Sequence, residues 1–424
     1  MQFKHKKKGR KLFTSKDRNH RIFNRYHPMR SALGITLTVL LAAVLGIVGY
    51  NVVGPLMARL SAEAESPTKT DQPFFEQESE PIKTTISSSE AEETKTTAAA
   101  TGTVTSSTAS ETTVHTAKFG ENVTLAYCIT PETCSDLKLL DTAAERCASE
   151  GFSAMILPMK VPGGQLLYAS AVKDAATSGA FSDDAPAPEA VKAVLDAHRL
   201  KGIAQMDLLT DHLFPAAFSD GGYMIASSQT RWLDRAEADG GKPWISPYCA
   251  HSGAYLSSLA AELVAAGFQN VLCYDIAFPK FFNSDEALLG KQITDPKRRS
   301  EALTGLINKI AADVPQAVFS FSLKDVINGK AEAFVPDALT VPAVSMDIDV
   351  TSFRSPFIYE NKRYALGQLS EAEKAVELLG LCKQILGDVR LIPCFVRGSL
   401  TDEQFNSVLE TAYSAGYTEI YAVD

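Results

Sequence analysis

The chain has 424 residues and a formal net charge of −9, a length that allows two or three domains of ordinary size. The charge is unevenly distributed, because residues 1–30 contain eleven Lys and Arg against one acid, Asp17, and so carry +10 and leave −19 for the remainder. The acidic main body argues against a nucleic-acid-binding protein. The basic tail could also suggest nucleic-acid binding, but its sequence contains no folded module of its own.

An uncharged apolar segment follows this tail. Residues 31–57 contain no charged side chain, and about 20 such residues suffice to cross a bilayer as a helix. The basic flank predicts a cytoplasmic N-terminus and an extracytoplasmic remainder. One alternative is a buried helix of a soluble domain. Another is a signal peptide cleaved near Ala64, although the apolar run exceeds the usual length of about 7–15 residues, which favours an uncleaved signal anchor in the cell membrane.

Residues 58–117 are rich in Ser, Thr, Ala and Glu. A segment with so little apolar surface cannot offset the entropy lost on ordering, so it is predicted to be a disordered linker. Its Ser and Thr content also permits O-glycosylation outside the cell. The predicted domains are therefore a basic tail (1–30), a transmembrane helix (31–57), a linker (58–117) and a folded domain (118–424).

The folded domain alternates short β-branched or aromatic runs with amphipathic helical stretches, which predicts an α/β fold with a parallel sheet. Eight strands are predicted at Val123–Ile129, Ala154–Pro158, Gly202–Leu208, Val271–Asp275, Ala317–Leu323, Ala343–Asp349, Arg390–Val396 and Glu419–Val423. A further short strand is predicted at Tyr223–Ser227. Six helices are predicted at Leu137–Glu150, Pro188–Arg199, Gly253–Ala266, Lys297–Asp313, Ser370–Leu386 and Thr401–Ala415. This count favours a (β/α)8 TIM barrel over an open doubly wound sheet, since no glycine-rich phosphate turn follows any strand.

Seven cysteines lie in the folded domain, and their spacing matches neither a zinc site nor a small disulfide scaffold. Several lie in apolar strand-like runs, where a buried free thiol is the usual state. Cys128 and Cys134 are close enough in sequence that a local disulfide stays open. His212 and His251 lack ligand-like spacing, so neither a metal site nor a cofactor is predicted.

Several segments resemble one known family. Residues 126–130, 151–160 and 164–168 are similar to the opening of the glycosyl hydrolase-type barrels of bacterial envelope proteins, which are distantly related to the α-amylase barrels. Residues 244–248 (WISPY) resemble their Trp-Val-Asn-Pro-Tyr motif. Residues 267–279 resemble their Gly-Phe-Asp-Glu-Ile-Gln-Phe-Asp-Tyr-Ile-Arg-Phe-Pro motif. The resemblance covers about residues 120–424 and implies a barrel that acts on a polysaccharide.

The last of these motifs contains a departure. Without gaps, the family's acidic position falls on Tyr274 and its tyrosine on Asp275, while Ala277 replaces the arginine. Side chains alternate along a strand, so a shift of one place turns a carboxylate from the barrel mouth toward the helix layer. The fifth strand has no acid in residues 319–322.

Glycoside hydrolysis requires two carboxyl groups that flank the scissile bond. Asp275 ends the fourth predicted strand, and Asp347 and Asp349 alternate onto one face at the end of the sixth. These three residues are the predicted catalytic acids. The alternative is that one of them caps a helix or pairs with Lys160 or Arg397.

Five residues are predicted to bind substrate: Lys160, Tyr127, Trp244, Tyr248 and Arg397. The aromatic rings, with Trp232, suit the apolar faces of sugars, and Arg397 suits a carboxylate. Each has a structural alternative as a core residue, a loop anchor or a solvated lysine. Two functions follow as hypotheses: a membrane-anchored glycosyl hydrolase acting on envelope or extracellular polysaccharide, and a carbohydrate-binding or scaffolding barrel without turnover. No esterase, nucleotide-triphosphatase or zinc-protease motif is present.

Overall fold

The computed structural model describes Phe119 and residues 122–424. The predicted basic tail, transmembrane helix and linker all lie outside the described residues. Within the described part of the chain, no helix is both long enough and apolar enough to cross a bilayer.

Eight parallel strands form a closed barrel. The strands, numbered in chain order with a two-stranded antiparallel hairpin (β7, β8) between the sixth and ninth, are β1 (Thr124–Cys128), β2 (Ala154–Lys160), β3 (Lys201–Asp207), β4 (Asn270–Tyr274), β5 (Ala317–Ser322), β6 (Ala343–Ile348), β7 (Phe357–Tyr359), β8 (Lys362–Tyr364), β9 (Arg390–Val396) and β10 (Glu419–Val423). The order around the barrel is β1-β10-β9-β6-β5-β4-β3-β2, and β1 pairs with both β10 and β2. Because the sheet closes, the doubly wound alternative is excluded and the predicted TIM barrel is confirmed.

The eight predicted barrel strands agree with the structure to within two residues at each end. The ninth predicted strand, at Tyr223–Ser227, was wrong. That segment forms a single bridge between Met224 and Arg231 around a turn in which Gln229 has a positive φ of 57°. Its large apolar side chain, Tyr223, packs on Trp232 in a local cluster instead of extending a sheet.

Eleven α-helices are present among the described residues: α1 (Pro131–Ser135), α2 (Leu137–Ser149), α3 (Lys173–Thr177), α4 (Pro188–Ala197), α5 (Leu213–Ala217), α6 (Ala250–Ala265), α7 (Asp285–Leu289), α8 (Pro296–Asp313), α9 (Leu323–Ile327), α10 (Glu371–Leu386) and α11 (Asp402–Ser414). Short 3-10 turns occupy Ser219–Gly221, Glu237–Asp239, Lys291–Ile293, Pro336–Ala338 and Val350–Ser352. The six predicted helices correspond to α2, α4, α6, α8, α10 and α11. Helix α10 begins with a capping box in which Ser370 and Glu373 satisfy each other's backbone amides.

Apolar cores lie on both sides of the barrel wall. The inner core takes residues from all eight barrel strands: Ala126, Ala154, Ile156, Ile203, Leu272, Val318, Ala343, Ile392, Cys394 and Tyr421. The larger outer core lies between the strands and the helices. Because successive side chains on a strand alternate between the two cores, the inner set also fixes which residues at the strand ends face the mouth.

Candidate active site

A cavity of about 300 Å³ opens at the carboxyl ends of the barrel strands. Its strand residues all have the inward phase of the inner core: Cys128, Pro158, Gln205, Asp207, Tyr274, Asp347, Val396 and Val423. Two carboxyl groups, those of Asp207 and Asp347, therefore line the same cavity. In TIM barrels this is the face on which active sites lie.

Asp347 lies on β6 and accepts hydrogen bonds from hydroxyl groups on β5, the adjacent strand, and on β4, the next strand along. The Ser320 hydroxyl donates to Asp347 Oδ1 at 2.8 Å, and the Tyr274 hydroxyl donates to the same oxygen at 3.2 Å. Burial raises the pKa of Asp347 to about 6, against the opposing effect of hydrogen bonds from Ser320, Cys394 and Tyr274. These donors stabilise the ionised carboxylate once the proton is lost.

Asp207, at the end of β3, has a different environment. It is only 8% exposed, and burial is the largest cause that raises its pKa to about 6. The negative charge of Asp275 raises this pKa further, whereas Lys160 lowers it. Sequence reasoning missed Asp207, although it lies near the end of a predicted apolar strand, as Asp347 does.

Asp275 follows directly on β4 and has a left-handed backbone, with φ of 56°. Its Oδ2 accepts a hydrogen bond from the Thr210 amide at 2.5 Å, and its carbonyl accepts one from the Leu209 amide at 3.2 Å. It therefore braces the loop that follows Asp207. The inward place at the end of β4 belongs to Tyr274, as the reversed order of the two residues implies.

Asp349 lies just beyond β6, where its Oδ1 accepts hydrogen bonds from the amide (2.9 Å) and the hydroxyl (2.6 Å) of Thr351. It thereby caps the 3-10 turn Val350–Ser352. This is the capping arrangement that the sequence left as an alternative, and Asp349 is not among the residues that line the mouth cavity.

Lys160 is completely buried at the end of β2. Its Nζ lies 3.0 Å from Asp211 Oδ2 and donates to the Asp207 carbonyl at 2.7 Å. The other oxygen of Asp211 accepts from the amides of Leu213 and Phe214 at the start of α5. The loop closes this tightly because residue 164 is glycine: a Cβ there would lie 2.2 Å from Asp211 Oδ1. Lys160 thus joins the end of β2 to the end of β3 and to the loop that follows β3.

Tyr127 and Arg397 meet at the C-terminal residue. The Tyr127 hydroxyl donates to the carboxylate of Asp424, and the Tyr127 ring packs on Phe152 with centroids 5.2 Å apart. Arg397 pairs with Asp402 and lies 3.8 Å from Asp424.

Trp244 and Tyr248 lie in the long β3–β4 connection. Trp244 Nε1 donates to Asp234 Oδ2 at 3.2 Å. The Tyr248 hydroxyl donates to the Gln292 carbonyl at 2.6 Å. Of the five residues predicted to bind substrate, none lines the mouth cavity in the described part of the chain, so their roles stay predictions.

The seven cysteines are all free thiols, including Cys128 and Cys134. The disulfide that the sequence left open is therefore not formed in the structure. Within residues 122–424, no group of three or more His, Cys, Asp or Glu side chains is arranged to hold a metal ion.

Comparison with models of protein families shows which family the chain belongs to. The model of a family described as "putative glycosyl hydrolase domain" matches residues 126–350, which include both Asp207 and Asp347. The chain belongs to this family. The membership inferred from the sequence motifs is confirmed.

Solved structures similar to the chain include the PgaB (BpsB) glycoside hydrolase domain of Bordetella bronchiseptica, with 12% identity over 71% of this chain and 93% of that one (TM-score 0.45). The glycoside hydrolase domain of PelA from Pseudomonas aeruginosa has 12% identity over the same shares of the two chains (TM-score 0.35). A hypothetical protein from Ruminiclostridium thermocellum has 17% identity over 46% of this chain and 95% of that one (TM-score 0.37). A comparison with curated proteins finds no match.

Proposed function

We propose that this barrel is a glycoside hydrolase in which Asp207 and Asp347 are the two catalytic carboxyl groups. The observation that carries the proposal is their shared place: both line one cavity of about 300 Å³ at the mouth, from inward positions on β3 and β6. In the strand order, β4 and β5 lie between these two strands, so the carboxyl groups enter the cavity from different walls. Glycosidases require such a pair with a sugar between its members.

Their surroundings suggest which group does what. Asp207 is buried and lies within range of the negative charge of Asp275, so it keeps its proton to a higher pH than a free aspartate and is suited to donate that proton to the leaving oxygen. Asp347 accepts hydrogen bonds from Ser320 and Tyr274, which favour its ionised form. Asp347 would then activate water or attack the anomeric carbon. The anomeric configuration of the first product distinguishes these two routes.

This pair differs from the one expected from the sequence. In the proposal Asp275 acts on Asp207 through its charge and through its hydrogen bond to the Thr210 amide, without touching the sugar. Asp349 stabilises the turn that follows β6.

We extend the proposal to the place of action. The apolar residues 31–57, with their basic flank, support a single-pass anchor with the barrel outside the cell membrane. The substrate would then be an envelope or extracellular polysaccharide. Protease digestion of intact cells tests this topology: the barrel would be cleaved and the basic tail protected. Protection of the barrel would contradict it.

A second function is favoured by one residue. Tyr274 occupies the inward end of β4, where the resembling family motif carries an acid. A barrel that has lost this acid could bind glycans without cleaving them. In that case Tyr274 and Asp347 would hydrogen-bond sugar hydroxyls in the same cavity.

One experiment separates the two functions. The full chain is incubated with a panel of cell-wall and extracellular polysaccharides, and new reducing ends are counted alongside glycan binding. If the barrel is an enzyme, Asp207→Asn and Asp347→Asn each reduce turnover by at least about 100-fold, the scale of a lost general acid or base. Asp196→Asn, an exposed carboxylate on α4, is the matched control and should leave turnover unchanged. Binding by the parent chain without any hydrolysis would decide for the second function.

A further inference from the structure

A second and larger cavity has a volume of about 640 Å³. It is formed by the β3–β4 connection and by the loop and helix after β4, and none of its residues lines the mouth cavity. The chain contains two tryptophans, and both line this cavity, together with Arg231, Arg235, Lys280 and Phe282. These six residues define what we call the tryptophan cavity.

The tryptophan cavity rests on an apolar cluster of its own. Tyr223, Trp232, Leu289 and Ile293 form a buried group separate from the two barrel cores. Phe281 packs on Trp232 with ring centroids 5.1 Å apart. The connection is therefore a small packed unit that can hold a preformed site.

Each indole ring is fixed by a carboxylate. Trp232 Nε1 donates to Asp285 Oδ1 at 3.0 Å, while the other oxygen of Asp285 accepts the Phe282 amide at 2.6 Å. Trp244 Nε1 donates to Asp234 Oδ2 at 3.2 Å, while Oδ1 accepts the Lys242 amide at 2.8 Å. Trp232 is only 2% exposed and forms the inner wall of the cavity, whereas the ring of Trp244 is partly exposed and is oriented before a ligand arrives, which lowers the entropy lost on binding. Phe282 adds an apolar ring that is 55% exposed.

The lining of the tryptophan cavity contains three cations, Arg231, Arg235 and Lys280, and three acids, Asp234, Glu237 and Asp285, so its formal charge sums to zero. Arg231 and Lys280 form no ion pair within residues 122–424, and Lys280 lies over the Phe282 ring, 5.6 Å from its centroid. Arg235 is 65% exposed and makes one loose contact, 3.9 Å from Asp234. The carboxylates of Asp234 and Asp285 keep their negative charge, but they are only 20% and 7% exposed and are bound to N–H donors, so the exposed charges of the lining are the three cations and Glu237. Glu237, at the rim, is the remaining acid of the lining.

We propose that the tryptophan cavity is an accessory binding site for an acidic glycan, one that carries carboxylates on its sugar rings. The partly exposed rings of Trp244 and Phe282 would pack against the apolar faces of sugars, and the three exposed cations would hold the carboxylates by charge-assisted hydrogen bonds. The site goes beyond the proposed hydrolase: it binds the polymer at residues that take no part in cleavage. It rests on that function only in taking a glycan as the ligand.

The two tryptophans provide the assay, because all tryptophan emission of the full chain comes from two residues that both line this cavity. The probes are a hexamer of galacturonic acid and, as its neutral counterpart, a hexamer of galactose. We expect the acidic hexamer to change the emission in a saturable manner, with affinity that falls as salt is added. The neutral hexamer should bind at least about tenfold more weakly, since it forms no charge-assisted hydrogen bonds.

Variants test the assignment of the cations. Arg235→Ala and Lys280→Ala should each raise the Kd about three- to tenfold, and the double variant by more than either. Lys324→Ala, which removes an exposed lysine from α9, is the matched control and should leave the Kd unchanged.

The outcomes separate this proposal from the proposed hydrolase. Normal binding of the acidic hexamer by a chain that hydrolyses no glycan would support the accessory site and count against the enzyme. No change in emission with the acidic hexamer would overturn the accessory site whatever the turnover. Equal affinity for both hexamers, or a Kd unaffected by the loss of Arg235 and Lys280, would also overturn it.

Discussion

The negative charge of Asp275 is predicted to raise the pKa of Asp207, and the variant Asp275→Asn tests this directly. The pKa of Asp207 is raised from 3.8 to about 6, with burial as the largest cause, Asp275 as the second and Lys160 in opposition. The whole departure corresponds to about 3 kcal/mol. Because burial remains in the variant, removing the charge should lower this pKa only part of the way toward 3.8. Asparagine tolerates the left-handed backbone at φ 56° and can still accept the Thr210 amide.

Two measurements follow the effect. Carboxyl ¹³C NMR titration of the full chain, with Asp207→Asn to assign the resonance, reports the pKa of Asp207 even without a known substrate. Where hydrolysis is detected, the alkaline limb of the pH profile should move to lower pH in Asp275→Asn, since Asp207 must be protonated to act as the acid. Asp275→Gly suits the same backbone but also removes the bond to Thr210, so comparison of the two variants separates charge from bracing. An unchanged or higher Asp207 pKa in Asp275→Asn would refute the reasoning.

Three further predictions concern stability. Gly164→Ala should lower the free energy of unfolding by about 2–4 kcal/mol, because residue 164 has a φ of +98° and the new Cβ would also clash with Asp211. Gly163→Ala has a φ of +96° but open space around the new Cβ, so it should cost only the backbone strain of about 1–2 kcal/mol. Equal losses of stability in chemical unfolding of the two variants would contradict the clash. Lys160→Met should cost about 3–5 kcal/mol by leaving Asp211 buried without its cation, and Lys160→Met/Asp211→Asn should recover part of this loss. Asp347→Asn should stabilise the fold above pH 6 and have little effect near pH 3. The raised pKa of Asp347 means that the folded state binds the proton more tightly than the unfolded one, so stability is lost as pH rises from about 4 through 6. A thermal shift that is the same at pH 4 and pH 8 would contradict this account.

The barrel was predictable from sequence because each barrel strand is a short apolar run that differs clearly from its surroundings. Long helices were predictable for a similar reason, and α10 even shows its capping box in the sequence. The five-residue helices, such as α5, are too short to display a helical period, and the β7–β8 hairpin has no period-2 pattern long enough to detect. Those elements depend on tertiary contacts.

The site was harder to predict because it depends on the phase of each strand. Asp347 was predicted as an acid at a strand end, and the structure places it in the mouth cavity. Asp207 was overlooked, although its strand was predicted, because nothing in a single apolar run shows which alternate residues face inward. The inner core supplies that phase: Ile203 faces inward, so Asp207, four residues later, does too.

The Tyr274-Asp275 order shows how one exchange of neighbours redistributes a site. With Tyr274 inward, the wall of β4 offers a hydroxyl that hydrogen-bonds Asp347, and no carboxylate. The displaced carboxylate of Asp275 remains close enough to raise the pKa of Asp207 on the neighbouring strand. Although Asp275 does not line the cavity, its negative charge would still favour the protonated form of Asp207, which does. The Tyr274-Asp275 order therefore takes a carboxylate out of the β4 wall and, through the charge of Asp275, adds to the larger effect of burial on the pKa of Asp207; Asp275→Asn would remove only that added part.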